Sequence, residues 1–144
     1  HVPILVGGSG PDRTLRLAAR HADACNLFGE PDRIRSLVEI LHRHCETESR
    51  DPTDIRVTQL SDVLVAANPT DLTERVDALR GNATAEAFIE HATAGVVDHH
   101  VHRFGALHDA GVDEVMVRLH DVGYPGALET FASVIEAFAD PGRS

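Results

Sequence analysis

Val2-Pro3-Ile4-Leu5-Val6-Gly7-Gly8-Ser9-Gly10-Pro11-Asp12-Arg13-Thr14 runs from an apolar stretch straight into glycines and then into a helix start. Ile4 to Val6 are uninterrupted aliphatics, the pattern of a parallel strand buried on both faces by helices. The three glycines let the backbone take positive φ and approach a ligand closely. Pro11 suits the first turn of a helix, which Thr14-Leu15-Arg16-Leu17-Ala18-Ala19 continue with good helix formers. Free N–H groups and the positive end of the dipole at such a start favour a phosphate, which singles out Gly7, Gly8, Ser9 and Gly10. Taken alone, the same glycines also read as nothing more than a tight βα turn.

At 144 residues and 42% hydrophobic composition, the chain is expected to form a single globular domain spanning residues 1–144. No segment reaches the ~18 to 20 apolar residues of a membrane span, and no basic-then-apolar leader is visible, so the expected location is cytoplasmic and no membrane partner is expected. Cys25 and Cys45 form no CxxC and read as reduced thiols. A formal charge of −10 argues against a nucleic-acid partner, which normally leaves a basic footprint. All 13 basic residues are Arg. Schiff-base lysine chemistry and a Walker-type phosphate lysine are thereby excluded, and a cation that grips phosphate must be Arg or His.

Strands are predicted near residues 3–7, 23–28, 55–66 and 112–119. Between the second and third, Ile34, Leu37, Val38, Leu41 and Cys45 fall on one face of a helix of about 18 residues that Pro52 closes off. Asn68-Pro69-Thr70 starts a helical stretch striped by Leu72, Val76 and Leu79, and Thr84 to His91 make a short helix. Asp98 is placed to cap a helix that ends at Gly111. Leu128, Phe131, Val134, Ile135 and Phe138 stripe a last one. Four successive βα units with right-handed crossovers predict a parallel sheet with helices outside.

Pro3-Ile4-Leu5-Val6-Gly7-Gly8-Ser9-Gly10, then Thr14 through Leu27, His44-Cys45, Asp51-Pro52 and Ala110-Gly111-Val112-Asp113-Glu114-Val115 together resemble the C-terminal half of the luciferase-like monooxygenase superfamily, particularly its deazaflavin-dependent members. The resemblance implies an α/β fold in which parallel βα units form the C-terminal half of a (β/α)8 TIM-like barrel. It implies the cofactor-binding half of a flavin- or deazaflavin-dependent oxidoreductase or monooxygenase, inactive or weakly active alone, acting on a small-molecule substrate. The implied cofactor is a phosphate-bearing flavin type: a deazaflavin coenzyme of the factor-420 type, or FMN. Carried over, Gly7, Gly8 and Ser9 approach its phosphate, Asn26, Leu27, Phe28 and Gly29 line its tail and ring, and Arg118 and His120 add charge to the phosphate. The residues that hold substrate come in the family largely from the half that has no counterpart here, so no catalytic residue is assigned.

His42-Arg43-His44 and His99-His100-Val101-His102 suggest metal, but residues two apart share no helical face, so no metal site is expected and these histidines read as a solvated helix face. Ser9, His21 and Asp23 draw a hydrolytic triad without the G-x-S-x-G elbow it needs. Gly8-Ser9-Gly10 with Glu30 resembles a Rossmann-like nucleotide or adenosyl site, although Arg13 stands where the third glycine belongs. A non-catalytic half-barrel interaction module is a third reading. Four βα units alone leave strand edges near Val2–Val6 and Val112–Leu119 and an uncovered sheet face, which predicts a homo-oligomer or a missing N-terminal half.

Overall fold

The structure, a computed structural model, describes residues 1–139; residues 140–144, which the expected domain includes, lie outside the described residues. The described chain divides into two compact units, His1–Leu60 with Gly105–Met116, and Ser61–Phe104 with Val117 onward.

The first unit contains β1 (Leu5–Gly7), α1 (Thr14–His21), β2 (Ala24–Leu27), α2 (Pro31–Thr47) and the start of β3 (Arg56–Ala66). β1 pairs with β2 in parallel, Gly7 opposite Asn26, and β2 pairs with β3 in parallel, Asn26 opposite Thr58. Alternation then separates two faces. Cys25, Leu27 and Val57 lie on one and are buried with Leu15, Ala18 and Ala19 of α1 and Ile34, Leu37, Val38, Leu41 and Cys45 of α2. The α2 stripe is the one its spacing predicts. Leu5, Gly7, Asn26 and Thr58 lie on the opposite face. His44 Nε2 donates to the Pro11 carbonyl at 2.8 Å, tying α2 to the loop ahead of α1.

Two expectations fail here. β1 is not buried on both faces: Ile4 and Leu5 are about half exposed, at 51% and 50%, because α1 covers one face and no described element of this unit covers the other. The helix also begins at Thr14 and not at Pro11. Residues 11–13 form a turn, with the Leu15 amide donating to the Gly10 carbonyl at 3.1 Å.

The second unit takes up the rest of β3, α3 (Pro69–Leu79), α4 (Ala85–His91), β4 (Ala94–Val96), most of α5 (Val97–Asp109), the end of β5 (Glu114–Leu119) and α6 (Ala127–Ala139). Asn68 caps α3, its Oδ1 accepting from the amides of Thr70 and Asp71 at 3.0 Å each. Leu64, Val76, Ala92 and Ala94 form a small core with Leu72 and Phe88 against it. β4 was not expected. Its three residues carry no readable period, yet they pair in parallel with β3, Leu64 opposite Ala94. α5 follows β4 directly from Val97, so Asp98 falls inside the helix and does not cap it. The α6 stripe divides: Ala127 and Val134 are buried, whereas Leu128, Ile135 and Phe138 are about half exposed.

β5 pairs with β3, which makes five strands in place of the four expected. Asp113 N donates to Val57 O at 2.9 Å and His120 N to Val63 O at 2.9 Å, so both strands ascend together, as parallel neighbours do. β1, β2 and β3 are neighbours in chain order, without the reversal that marks a doubly wound nucleotide domain. The Rossmann-like alternative is set aside on that ground.

Candidate functional site

The βα turn is built around one side chain, Thr14. Gly8 has φ +139°, and a Cβ there would stand 3.0 Å from Thr14 Cγ2; a Cβ at Gly10 would stand 2.9 Å from Thr14 Oγ1. Conformation and packing both favour glycine at Gly8, whereas at Gly10 only the contact with Thr14 does. Gly7 differs, because a Cβ there would meet nothing within 4 Å. The Gly8 amide is not free: it donates to Asn26 O at 3.0 Å and prolongs the β1–β2 ladder. That leaves the amides of Ser9 and Gly10 without a hydrogen-bond acceptor among the described residues, and these two can receive an anion.

Ser9 fastens this turn to the end of β2. Its Oγ accepts from Phe28 N at 2.9 Å and lies 3.5 Å from Phe28 O. The hydroxyl thus serves the scaffold, and with the Asp23 carboxylate held by Ile4 N and His1 Nε2, Ser9, His21 and Asp23 form no triad. Gly29 has φ +140°, a backbone conformation that favours glycine, and a Cβ there would stand 2.6 Å from Cδ of the flexible Arg33 side chain. Phe28 is about half exposed, but Leu27 is fully buried toward the helices, which removes it as a lining residue. Asn26 is nearly buried and accepts from Thr58 Oγ1 at 3.0 Å. Thr58 went unnoticed in the sequence because nothing local marks it; it is found only through strand register.

In the second unit, Arg118 grips the Asp62 carboxylate with two nitrogens, Nε on Oδ1 and Nη2 on Oδ2, the latter at 2.8 Å. The pair is neutral together, so Arg118 does not offer the spare positive charge expected of it. His120 Nε2 lies 3.7 Å from Asp62 Oδ1, buried and without a hydrogen-bond partner, while its ring meets Phe88 and His91 edge-on. Arg75 is enclosed by Asp71 at 2.9 Å, Asp121 at 2.6 Å and the Tyr124 ring. The Arg75 hydrogen bond holds the Asp71 carboxyl below its usual range. Asp71 and Arg75 were readable as an i,i+4 pair; Asp121 carries no sequence signal.

The histidines do not behave as one solvated face. His100 is fully buried, its Nε2 donating to Leu64 O at 3.1 Å, and burial drives its pKa down to about 4. Among the described residues no three His, Cys, Asp or Glu side chains gather as a metal ion requires, and no helix is long and apolar enough to cross a membrane. Cys25 and Cys45 are free and buried, with Cys25 pushed up to about 11 by burial and then by Cys45.

Comparison with solved structures gives the same fold repeatedly. An F420-dependent secondary alcohol dehydrogenase, solved with an F420-acetone adduct, superimposes with a TM-score of 0.70 at 18% identity, over 97% of this chain and 50% of its own. EDTA monooxygenase from Chelativorans sp. BNC1 gives 0.68 at 14% identity, over 92% and 43%. Riboflavin lyase, solved with modified FMN and riboflavin, gives 0.65 at 11% identity, over 92% and 41%. The chain thus spans about half the length of these proteins. The likeness establishes the fold as α/β, with parallel βα units forming the C-terminal half of a (β/α)8 TIM-like barrel. No curated protein matches the sequence. The sequence profile described as luciferase-like monooxygenase matches residues 1–126, and the chain belongs to that family.

Proposed function

We propose that this chain is the cofactor-binding half of a flavin- or deazaflavin-dependent oxidoreductase, with the cofactor phosphate at the β1–α1 turn. The observation that carries it is the pair of acceptor-free amides, Ser9 and Gly10, next to the uncrowded backbone of Gly7. Backbone N–H groups at a turn entering a helix suit an anion, and nothing basic is needed beside them. The residues present fit a phosphate-bearing flavin-type cofactor: Ser9 and Gly10 would hold its phosphate, and Asn26, Phe28 and Gly29 would flank the rest. Solved relatives include one with an F420 adduct and one with modified FMN, which supports either ring. When bound, such a ring carries hydride or activates oxygen, while the protein orients it and excludes water. Turnover of a small-molecule substrate then depends on the other half of the barrel.

The exposed apolar residues Val2, Ile4, Leu5 and Leu17 of the first unit, and Leu128, Ile135 and Phe138 of the second, support an assembly in which a first half-barrel or a second copy covers them.

Spectroscopic titration with FMN, a deazaflavin and a nicotinamide dinucleotide tests the cofactor reading. Binding of FMN or deazaflavin, weakened at least tenfold in Gly7→Asp, is expected. Gly7 is the right position because its replacement meets no neighbour in the protein, so lost affinity reports an obstructed site and not misfolding. Preference for the dinucleotide, or an unchanged affinity in Gly7→Asp, would overturn it.

A further inference from the structure

We propose that Asn26 reads a carbonyl oxygen of the cofactor's planar ring through its side-chain N–H2, and that Thr58 is the residue that aims it. The proposal rests on the cofactor reading above and assigns a task to one buried side chain within it. Asn26 is 6% exposed, and its Oδ1 accepts from the Thr58 hydroxyl at 3.0 Å. An amide whose oxygen is held in this way has only its donor side to offer. Among the described residues Nδ2 makes no hydrogen bond, and it is not one of the sealed, unpartnered side-chain atoms, so this donor keeps an opening toward solvent through which a ligand can reach it.

The surroundings say what meets it. Gly7 is the register partner of Asn26 on one side as Thr58 is on the other, so all three point to the same face of the sheet. Where Gly7 lacks a side chain the space is open, since a Cβ would touch nothing within 4 Å. Half-exposed Phe28 stands just past the end of β2, its amide held by Ser9 Oγ at 2.9 Å. Open space over Gly7 with one neutral donor on the neighbouring strand suits a heterocycle bearing a carbonyl. A phosphate dianion belongs instead with the free amides of Ser9 and Gly10.

The test is a 1H–15N spectrum of the labelled protein titrated separately with riboflavin, FMN and inorganic phosphate. Riboflavin and FMN are expected to shift the Asn26 side-chain amide, and inorganic phosphate to shift only the Ser9 and Gly10 backbone amides. Thr58→Val, which removes the hydroxyl at nearly constant shape, should weaken riboflavin and FMN about tenfold, a loss of ~1.4 kcal/mol, and Thr58→Ser should restore them. Asn26→Asp, which turns the donor into an anionic acceptor, should lose more. Thermal unfolding of each variant identifies any loss of fold. Wild-type binding of FMN with Thr58→Val unaffected, or with Thr58→Val and Thr58→Ser equally impaired, overturns this assignment and leaves the phosphate site standing. A response of Asn26 to inorganic phosphate but not to riboflavin does the same. If no flavin or deazaflavin binds the wild type, the cofactor reading falls and this assignment falls with it.

Discussion

Arg75 Nη1 lies 2.6 Å from Asp121 Oδ2, and both side chains are almost wholly buried. The guanidinium is also bonded to Asp71 and stacked on Tyr124, so it links α3 to the loop that follows β5. Removing either charge leaves the other desolvated and unpaired. Arg75→Met and Asp121→Asn are each expected to cost about 3–5 kcal/mol in urea unfolding. A loss under 1 kcal/mol would show that water reaches the pair.

His100 makes stability depend on pH. Its pKa is near 4 in the folded chain against an ordinary 6.5, so the unfolded chain binds its proton first. The stability it confers is complete above pH 6.5 and is lost as pH falls from there through 4, by about 3 kcal/mol from this group. Urea unfolding between pH 7.5 and 4 should show the decline, and His100→Gln, which keeps a donor toward Leu64 O without titrating, should flatten it.

Gly7 and Gly8 are adjacent but answer to different constraints. Gly8→Ala is expected to lose about 1–3 kcal/mol, from its φ of +139° and the contact with Thr14. Gly7→Ala should stay within about 1 kcal/mol of wild type. Equal losses in thermal unfolding would remove Thr14 as the reason for the second glycine.

Both thiols should be silent in the folded chain. Cys25 and Cys45 are fully buried and their pKa values are raised, so little thiolate is present near neutrality. A thiol-reactive dye at pH 8 should label neither until urea unfolds the protein. Rapid labelling of one thiol under native conditions would mean local opening around α2.

Association is the remaining expectation. Light scattering should find a species larger than the 15.6 kDa chain, and Leu5→Arg, on the open face of β1, should shift it toward monomer. A stable wild-type monomer would mean that the exposed aliphatics of β1 and α6 tolerate water unaided.

How much of this was legible depended on the range of the forces involved. The β1-to-α1 stretch, the α2 stripe at Ile34, Leu37, Val38, Leu41 and Cys45, and the Asn68 cap were determined by residues within a few positions of one another. Local sterics, hydrogen bonding and helical period act over that distance, so the sequence by itself determined the parallel βα order and located the glycine turn. Tertiary structure decided what those residues do. Strand register, a pairing across tens of residues, placed Thr58 beside Asn26 and spent the Gly8 amide on Asn26 O. Distant pairing gave Arg118 to Asp62 and Arg75 to Asp121, and long-range packing sealed His100 inside a helix that reads as polar. β4 shows the limit plainly: three residues have no period of their own, and only the free edge of β3 beyond Val63 makes them a strand.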